Sequence, residues 1–245
     1  MLKRPVPPKT APHQAARDAR LLARAATSGA LATLRRAARG NPQPYVSKVG
    51  VALDADGSAL FLFSTLAAHT QDLLAAPRCS LLVEAPGEDE NPLTAARATL
   101  VGGAVRLDGD EALAAREIYL ARHPSAARYA DFGDFAFWRL TVDKVHYVGG
   151  FGMAKWTKGT QYRLNSRDFL ESRGRLLNEL NGPKNTNLKA AMGLKRSYQA
   201  VDVDPDGALI CDAKGAMLRL NFPSPAKDLR AWRARFAALV KRSRA

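Results

Sequence analysis

Cysteine is almost absent from this chain. Cys79 and Cys211 are the only two in 245 residues, and neither sits in a CxxC or His-flanked spacing. Two isolated thiols exclude a disulfide framework and a thiolate metal site, and they predict a reducing, cytoplasmic setting. Histidine is nearly as scarce: His13, His69, His123 and His146 are all there are. Ser/His/Asp ordering, paired-carboxylate spacing and a Walker loop are missing, which removes the usual sequence grounds for hydrolytic or nucleoside-triphosphate chemistry. No apolar run reaches membrane-spanning length. The opening segment, MLKRPVPPKTAP, has prolines where a secretory signal has its apolar stretch. Residues 1–12 therefore read as a disordered arm.

Acidic residues are also in short supply. Asp and Glu total 23 against 37 Lys and Arg, for a net charge of +14 and a pI of about 10.2. Such a surface attracts polyanions. The cations are spread along the chain, however, and no helix-turn-helix, zinc-finger or RNP signature accompanies them. Nucleic acid is not the expected partner, and the charge reads first as a solvated surface.

What the chain does have is concentrated between Pro44 and Pro77, PYVSKVGVALDADGSALFLFSTLAAHTQDLLAAP. Val46, Val49, Val51 and Leu53 mark an extended run. Asp54-Ala55-Asp56-Gly57 breaks it with turn chemistry. Leu60-Phe61-Leu62-Phe63 is a buried strand by pattern. Ser64 or Thr65 is placed to cap a following helix, which Pro77 ends. A strand leading into a helix start gathers amide hydrogens and the positive dipole end, a setting that suits phosphate. His69 and Thr70, one turn in, can reach the same spot.

The rest of the chain reads as an antiparallel barrel with a second small domain. Gln14 to Thr27 is predicted helical, with Leu22, Ala25 and Ala26 on its apolar side and Arg17, Arg20 and Arg24 on a solvated face. Strands are predicted at Ala30–Leu34, Cys79–Val83 and Thr99–Leu107, the last carrying Gly102-Gly103 as a bulge or close-approach signal. A helix over Asp110–Arg122, with Leu113, Glu117 and Leu120 marking its period, ends at Pro124. Ala136–Val142 and Val145–Phe151 read as a hairpin. From Arg167 the pattern is helix, helix, three strands (Tyr198–Val203, Ala208–Asp212, Met217–Phe222) and a helix over Asp228–Lys241 with Leu229, Trp232, Phe236 and Val240 inward. The fold class is α+β: a split β-barrel over 13–158, then a small α+β domain over 165–245.

Four pieces in order resemble the flavin-binding split-barrel superfamily of pyridoxamine-phosphate-oxidase-like proteins, and most closely its haem-utilisation branch. They are Pro44–Glu84, RATLVGGA (Arg97–Ala104), YLARHPSAARYADFGDFAFWRL (Tyr119–Leu140) and VHYVGGFGMAKW (Val145–Trp156). The resemblance implies an FMN site built between two subunits of a homodimer, and a flavin-dependent oxidoreductase of unspecified small-molecule substrate. It assigns cofactor contacts to Val46, Ser47, Lys48, Phe63, Ser64, Thr65, His69, Thr70 and Arg97. His69 is either a phosphate contact or a helix histidine with local bonds only.

Two departures bear on this assignment. Val46 and Val51 stand where relatives carry Arg and Lys, and FGMAKW replaces the substrate signature of the vitamin oxidase. In the second domain, ELNGPK (Glu179–Lys184) lacks the histidines of the matching element in the haem-utilisation branch. A haem-binding or haem-degrading protein, with His69, His146 or a tyrosine as candidate ligand, is the alternative. A cofactor-free basic dimer that binds a polyanion is the third reading.

Overall fold

Short apolar strands with alternating burial dictate an antiparallel sheet, and the sheet's order shows why it must curl. The computed structural model describes residues 12–36, 41–85, 92–150, 153–182 and 198–242, and the chain divides between Arg163 and Leu164 into two units. In the first unit the elements are α1 (Pro12–Ala25), β1 (Ser28–Arg35), β2 (Gln43–Gly50), β3 (Ala52–Leu53), β4 (Ala59–Ser64), α2 (Ala68–Ala75) and β5 (Arg78–Glu84), followed by β6 (Arg97–Arg106), α3 (Gly109–Arg122), β7 (Phe135–Val148), β8 (Ala154–Lys158) and the one-turn α4 (Gly159–Tyr162). The strand order is β2-β1-β5-β6-β7-β4-β3, with β8 on β7.

The two ends of that order, β2 and β3, are joined in the chain by Val51 alone. A single residue cannot span an open sheet of this width, so the sheet closes on itself as a barrel. The run from Val46 to Leu53, expected as one strand, is thus split across the seam. The Val51 amide donates to the Thr27 carbonyl at 3.0 Å, so the backbone stays paired through the break.

β7 is one long strand, not the expected hairpin. Its first half pairs with β4 and its second with β8, while β6 runs along it from Trp138 to Val148. The register steps from Gly102↔Val142 to Val101↔Lys144, leaving Asp143 as an extra residue in a bulge. Gly102 and Gly159 make room for it. A Cβ on Gly102 would lie 1.9 Å from the Thr141 carbonyl oxygen, and one on Gly159 would lie 2.1 Å from that of Val142. The bulge expected from the glycine pair is there, and it bends β7 so that one strand serves both sides of the barrel.

β4 is buried on both faces, which is why it reads as an unbroken apolar run. Phe61 and Phe63 point into the barrel with Leu31, Val49, Leu81, Leu100, Trp138 and Val145. Leu60 and Leu62 point the other way, against Ala115, Ile118 and Tyr119 of α3. That buried face differs from the expected one: Leu113 is 62% exposed.

α1 also departs from expectation. Arg20 and Arg24 are buried, and they share the helix with the buried Ala15, Ala16, Ala19 and Ala23. The small alanines bring the helix close to the sheet, and the guanidinium groups reach past them to backbone carbonyls. Arg20 donates to Tyr162 at 2.5 Å, and Arg24 donates to Asp54 and Ala55 at 3.2 and 2.8 Å. Arg24 thus satisfies carbonyls of the 54–57 turn and Arg20 that of Tyr162 in α4, so the two are not a solvated stripe.

The second unit contains α5 (Arg167–Asn181), a three-stranded antiparallel sheet of β9 (Tyr198–Asp204), β10 (Gly207–Asp212) and β11 (Met217–Asn221), and α6 (Leu229–Arg242). Asn181 clamps β9 through both backbone groups of Ala200, each at 2.8 Å. Arg219 makes a forked ion pair with the buried Asp204, and Trp232 donates to the Asp204 carbonyl at 3.0 Å. Trp232 and Phe236 pack inward, as the helical period predicts. The arm at 1–11, the helix expected after Asn181, and Pro183 and Lys184 of ELNGPK lie outside the described residues, as does the Val240 side chain; Pro12 already belongs to α1.

Candidate functional site

The strand-to-helix junction after β4 is not the side-chain-capped helix start expected of it. α2 starts a turn later, at Ala68, with Ala67 as N-cap and no side-chain cap bond. Ser64 Oγ instead donates to Asp134 at 2.6 Å and accepts from the Leu66 amide at 3.1 Å. The Thr65 amide donates to the Asp134 carbonyl, and the buried Thr70 hydroxyl donates to the Ser64 carbonyl at 2.7 Å. Ser64 and Thr65 are therefore not helix caps: the helix begins beyond them, and the Ser64 hydroxyl is taken up by the turn. The Asp134 carboxylate stands where an anion was expected, and like charges at that separation oppose each other.

Beside this junction lies an open cleft of about 560 Å³, lined by Lys48, Gly50, Phe63, Ser64, His69, Tyr119, His123, Ser125, Tyr129 and Phe135 among others. Its walls come from the end of β2, the end of β4, the start of α2 and the end of α3. α2 is held in place by Asp72, a buried carboxylate that accepts from Thr33 Oγ1 at 2.8 Å and pairs with Arg35 at 3.5 Å. Arg35 in turn lies over the Tyr45 ring, 3.6 Å from its centroid. His69 and Asp72 are three residues apart on one helix, so the latch and the imidazole move together.

His69 packs edge-on against Phe63, ring centroids 4.4 Å apart, and neither ring nitrogen has a hydrogen bond among the described residues. Burial pulls its pKa down, with the Asp72 charge pushing partly back. The imidazole is neutral at pH 7, with a lone pair available to a metal ion or a proton. His123 differs. Its Nε2 lies 2.9 Å from the Val51 carbonyl, so it carries the hydrogen and donates. Burial lowers this pKa too, and the Arg122 charge adds to the effect, while the Val51 bond opposes it. The His123 ring stacks near Tyr119, centroids 4.6 Å apart, and burial raises the Tyr119 phenol well above its usual range.

Of the residues singled out in the sequence, Lys48, Phe63, Ser64 and His69 meet at this cleft. Val46 is 60% exposed and, with Lys48, lines a second cleft of about 790 Å³ between the end of α1, β1, β2 and the end of β5. Ser47, on β2, pairs with Leu31 of β1. Arg97 pairs with Val148 at the far end of β7 and donates to the Leu93 and Ala95 carbonyls at 3.0 and 3.3 Å. β7 meets Ser64 at Phe135, so strand geometry puts Arg97 roughly 40 Å of strand away within one chain. His146 stacks on the exposed Trp156, centroids 4.7 Å apart, on the outer face of the sheet.

Sequence reasoning missed Tyr119, His123, Tyr129 and Phe135 as cleft residues. Tyr119 and His123 are four apart on α3, a spacing that puts two side chains on one face, and that was the available signal. Cys79 is excluded as a nucleophile, since burial pushes its thiol up to about 11. Among the described residues no group of three or more His, Cys, Asp or Glu could hold a metal ion, and no helix is long and apolar enough to cross a membrane.

A closed antiparallel barrel with helices packed against its sheet defines a split-barrel protein of the α+β class. Residues 10–163 match the family described as CREG, beta-barrel, and the chain belongs to that family. It is 44% identical over 126 residues to the non-canonical heme oxygenase HOZ, chloroplastic, of Arabidopsis thaliana, a match covering 51% of this chain but only 37% of that protein. Among solved structures, Atu2129 of Agrobacterium tumefaciens, of unknown function, is similar at 26% identity and a TM-score of 0.74, over 97% of this chain and all of that one. A heme binding protein from Mycobacterium smegmatis is similar at 29% identity and a TM-score of 0.57, covering 99% of each chain.

Proposed function

We propose that this protein binds haem in the cleft between β2, β4, α2 and α3, with His69 as the iron ligand, and that it serves haem binding or haem degradation. The observation that carries the reading is the unbonded, neutral imidazole of His69 in the wall of an aromatic cleft. The donor set fits the group: a free imidazole nitrogen for iron, and Phe63, Phe135, Tyr119 and Tyr129 for a flat apolar ring. A relative named as a heme oxygenase and a similar structure named as a heme binding protein support it. Bound haem would supply the one-electron and oxygen chemistry that side chains lack. The chain's own part is to ligate through His69, to exclude water with the aromatic wall, and to hold a neutral donor in His123.

The flavin reading has support at the level of fold, but the Ser64 and Thr70 hydroxyls expected near its phosphate are tied to Asp134 and to backbone. We also propose that the protein works as a homodimer through the outer face of the barrel. There Leu34, Val46 and Val105 are 41, 60 and 52% exposed on strands of one sheet.

Titration with haem tests the main reading. The wild type is expected to give a Soret band at one haem per chain, and His69→Ala to shift or abolish it while His146→Ala leaves it in place. A protein that binds FMN and refuses haem would overturn it. Sedimentation of Val46→Asp at micromolar concentration, against a dimeric wild type, tests the dimer.

A further inference from the structure

Lys48 occupies a position that the haem reading does not itself require. It lines both clefts, and Thr27 is the one other residue that does so; the two therefore form the ridge between the His69 cleft and the second, largely apolar one. Among the described residues lining either cleft, Lys48 is also the only lysine or arginine. On the far side of the second cleft stands Glu84, of opposite sign. The strand pairing fixes the direction of Lys48: it stands opposite Ala30 on β1, while its neighbour Val49 is buried in the barrel. A side chain as small as Ala30 leaves the lysine stem free to lie along the ridge.

We infer that Lys48 binds the acid edge of the ligand and so fixes which way round it enters. This inference rests on the haem reading. A flat ring whose metal meets His69, and whose carboxylates lie on one edge, can also meet the one ammonium in the cleft wall when those carboxylates are turned to β2. The rest of the ring then lies among the aromatic lining residues, Tyr129 and Phe135 included. One ammonium suits a carboxylate. A phosphate dianion would call for a second cation or free helix-start amides, and here Asp134 stands at that turn.

The test compares haem with its dimethyl ester, in Soret titrations of the wild type, Lys48→Gln and Lys48→Arg. The wild type is expected to favour the diacid about 5- to 10-fold, the scale of one partly desolvated charge-assisted bond. Lys48→Gln is expected to lose that preference while keeping its affinity for the diester, and Lys48→Arg to keep the preference. Equal wild-type affinity for the two forms overturns the role of Lys48 and leaves the haem reading intact. So does a Lys48→Gln variant that weakens both forms alike. A wild type that binds neither form overturns both.

Discussion

The Thr33 hydroxyl donates to Asp72 Oδ2 at 2.8 Å, joining β1 to the helix that carries His69. Asp72 is buried, and Arg35 is its second partner at 3.5 Å. Replacing Asp72 by Ala strands a buried hydroxyl and a half-buried guanidinium, at a cost of about 1–3 kcal/mol in unfolding free energy. The variant should also take away the charge that raises the His69 pKa, so the imidazole should titrate at lower pH than in the wild type. Denaturant melts read the first effect and NMR titration of the His69 ring reads the second. An unmoved His69 titration would show that the latch has no electrostatic hold on the site.

Acid should weaken the fold through His69. Its folded pKa lies below the ordinary value of 6.5, because burial disfavours the cation. As pH falls through that value, the unfolded chain takes up the proton first, so stability drops until the folded imidazole is protonated as well. His123 acts in the same direction. His69→Asn should lose less stability than the wild type between about pH 7 and pH 5, with His123→Asn as the independent comparison. Identical slopes for wild type and His69→Asn in paired melts would contradict the burial-driven shift.

Arg24 offers a test of what the sequence hid. It donates to the carbonyls of Asp54 and Ala55 from a buried position, so Arg24→Ala takes one donor from each, leaves the Asp54 oxygen with the Gly57 amide, and should cost about 1–3 kcal/mol. Arg36→Ala, a change at another arginine outside this network, should cost far less in the same thermal melts. Helical period correctly places Arg17, Arg20 and Arg24 on one side of α1. Period alone does not say whether that side meets water or a row of carbonyls, because both are polar surroundings. The same ambiguity explains Ser64 and Thr65: a hydroxyl before a helix reads as a cap, and only the position of Asp134, remote in sequence, reveals the competing partner. By contrast, the barrel was legible. The alternation in β5 and β6, the doubly buried run in β4 and the glycine pair in β6 each reflect local geometry that a side-chain pattern records directly. The closure through Val51 was not, since it depends on strand order.

Gly102 should tolerate no side chain. What it faces is backbone, the Thr141 carbonyl oxygen at 1.9 Å from the site of a Cβ, so neither a rotamer change nor a small shift relieves the overlap. Gly102→Ala should therefore cost about 3–5 kcal/mol by forcing β6 and β7 apart at the bulge. Gly103→Ala is the matched control, because nothing lies within 4 Å of its Cβ position. Equal melting temperatures for the two variants would mean that the bulge is not held by this contact.

Gly50→Ala should alter the cleft more than it alters the barrel. A Cβ there would lie 2.5 Å from the Tyr119 hydroxyl and 3.8 Å from the His123 ring. The phenol end has to move, and Tyr119 is confined by Phe137, whose ring centroid is 5.9 Å away, and by the His123 stack at 4.6 Å. The displacement is thus passed to His123, whose Nε2 bond to Val51 should lengthen or break. The expected cost is about 1–3 kcal/mol, the scale of an overpacked core position. The diagnostic readout is the ring resonances of His123 in the ligand-free protein, which should shift in Gly50→Ala while those of His146, on the outer face, stay put. Movement of both rings, or of neither, would show that Gly50 does not set the spacing between β2 and α3.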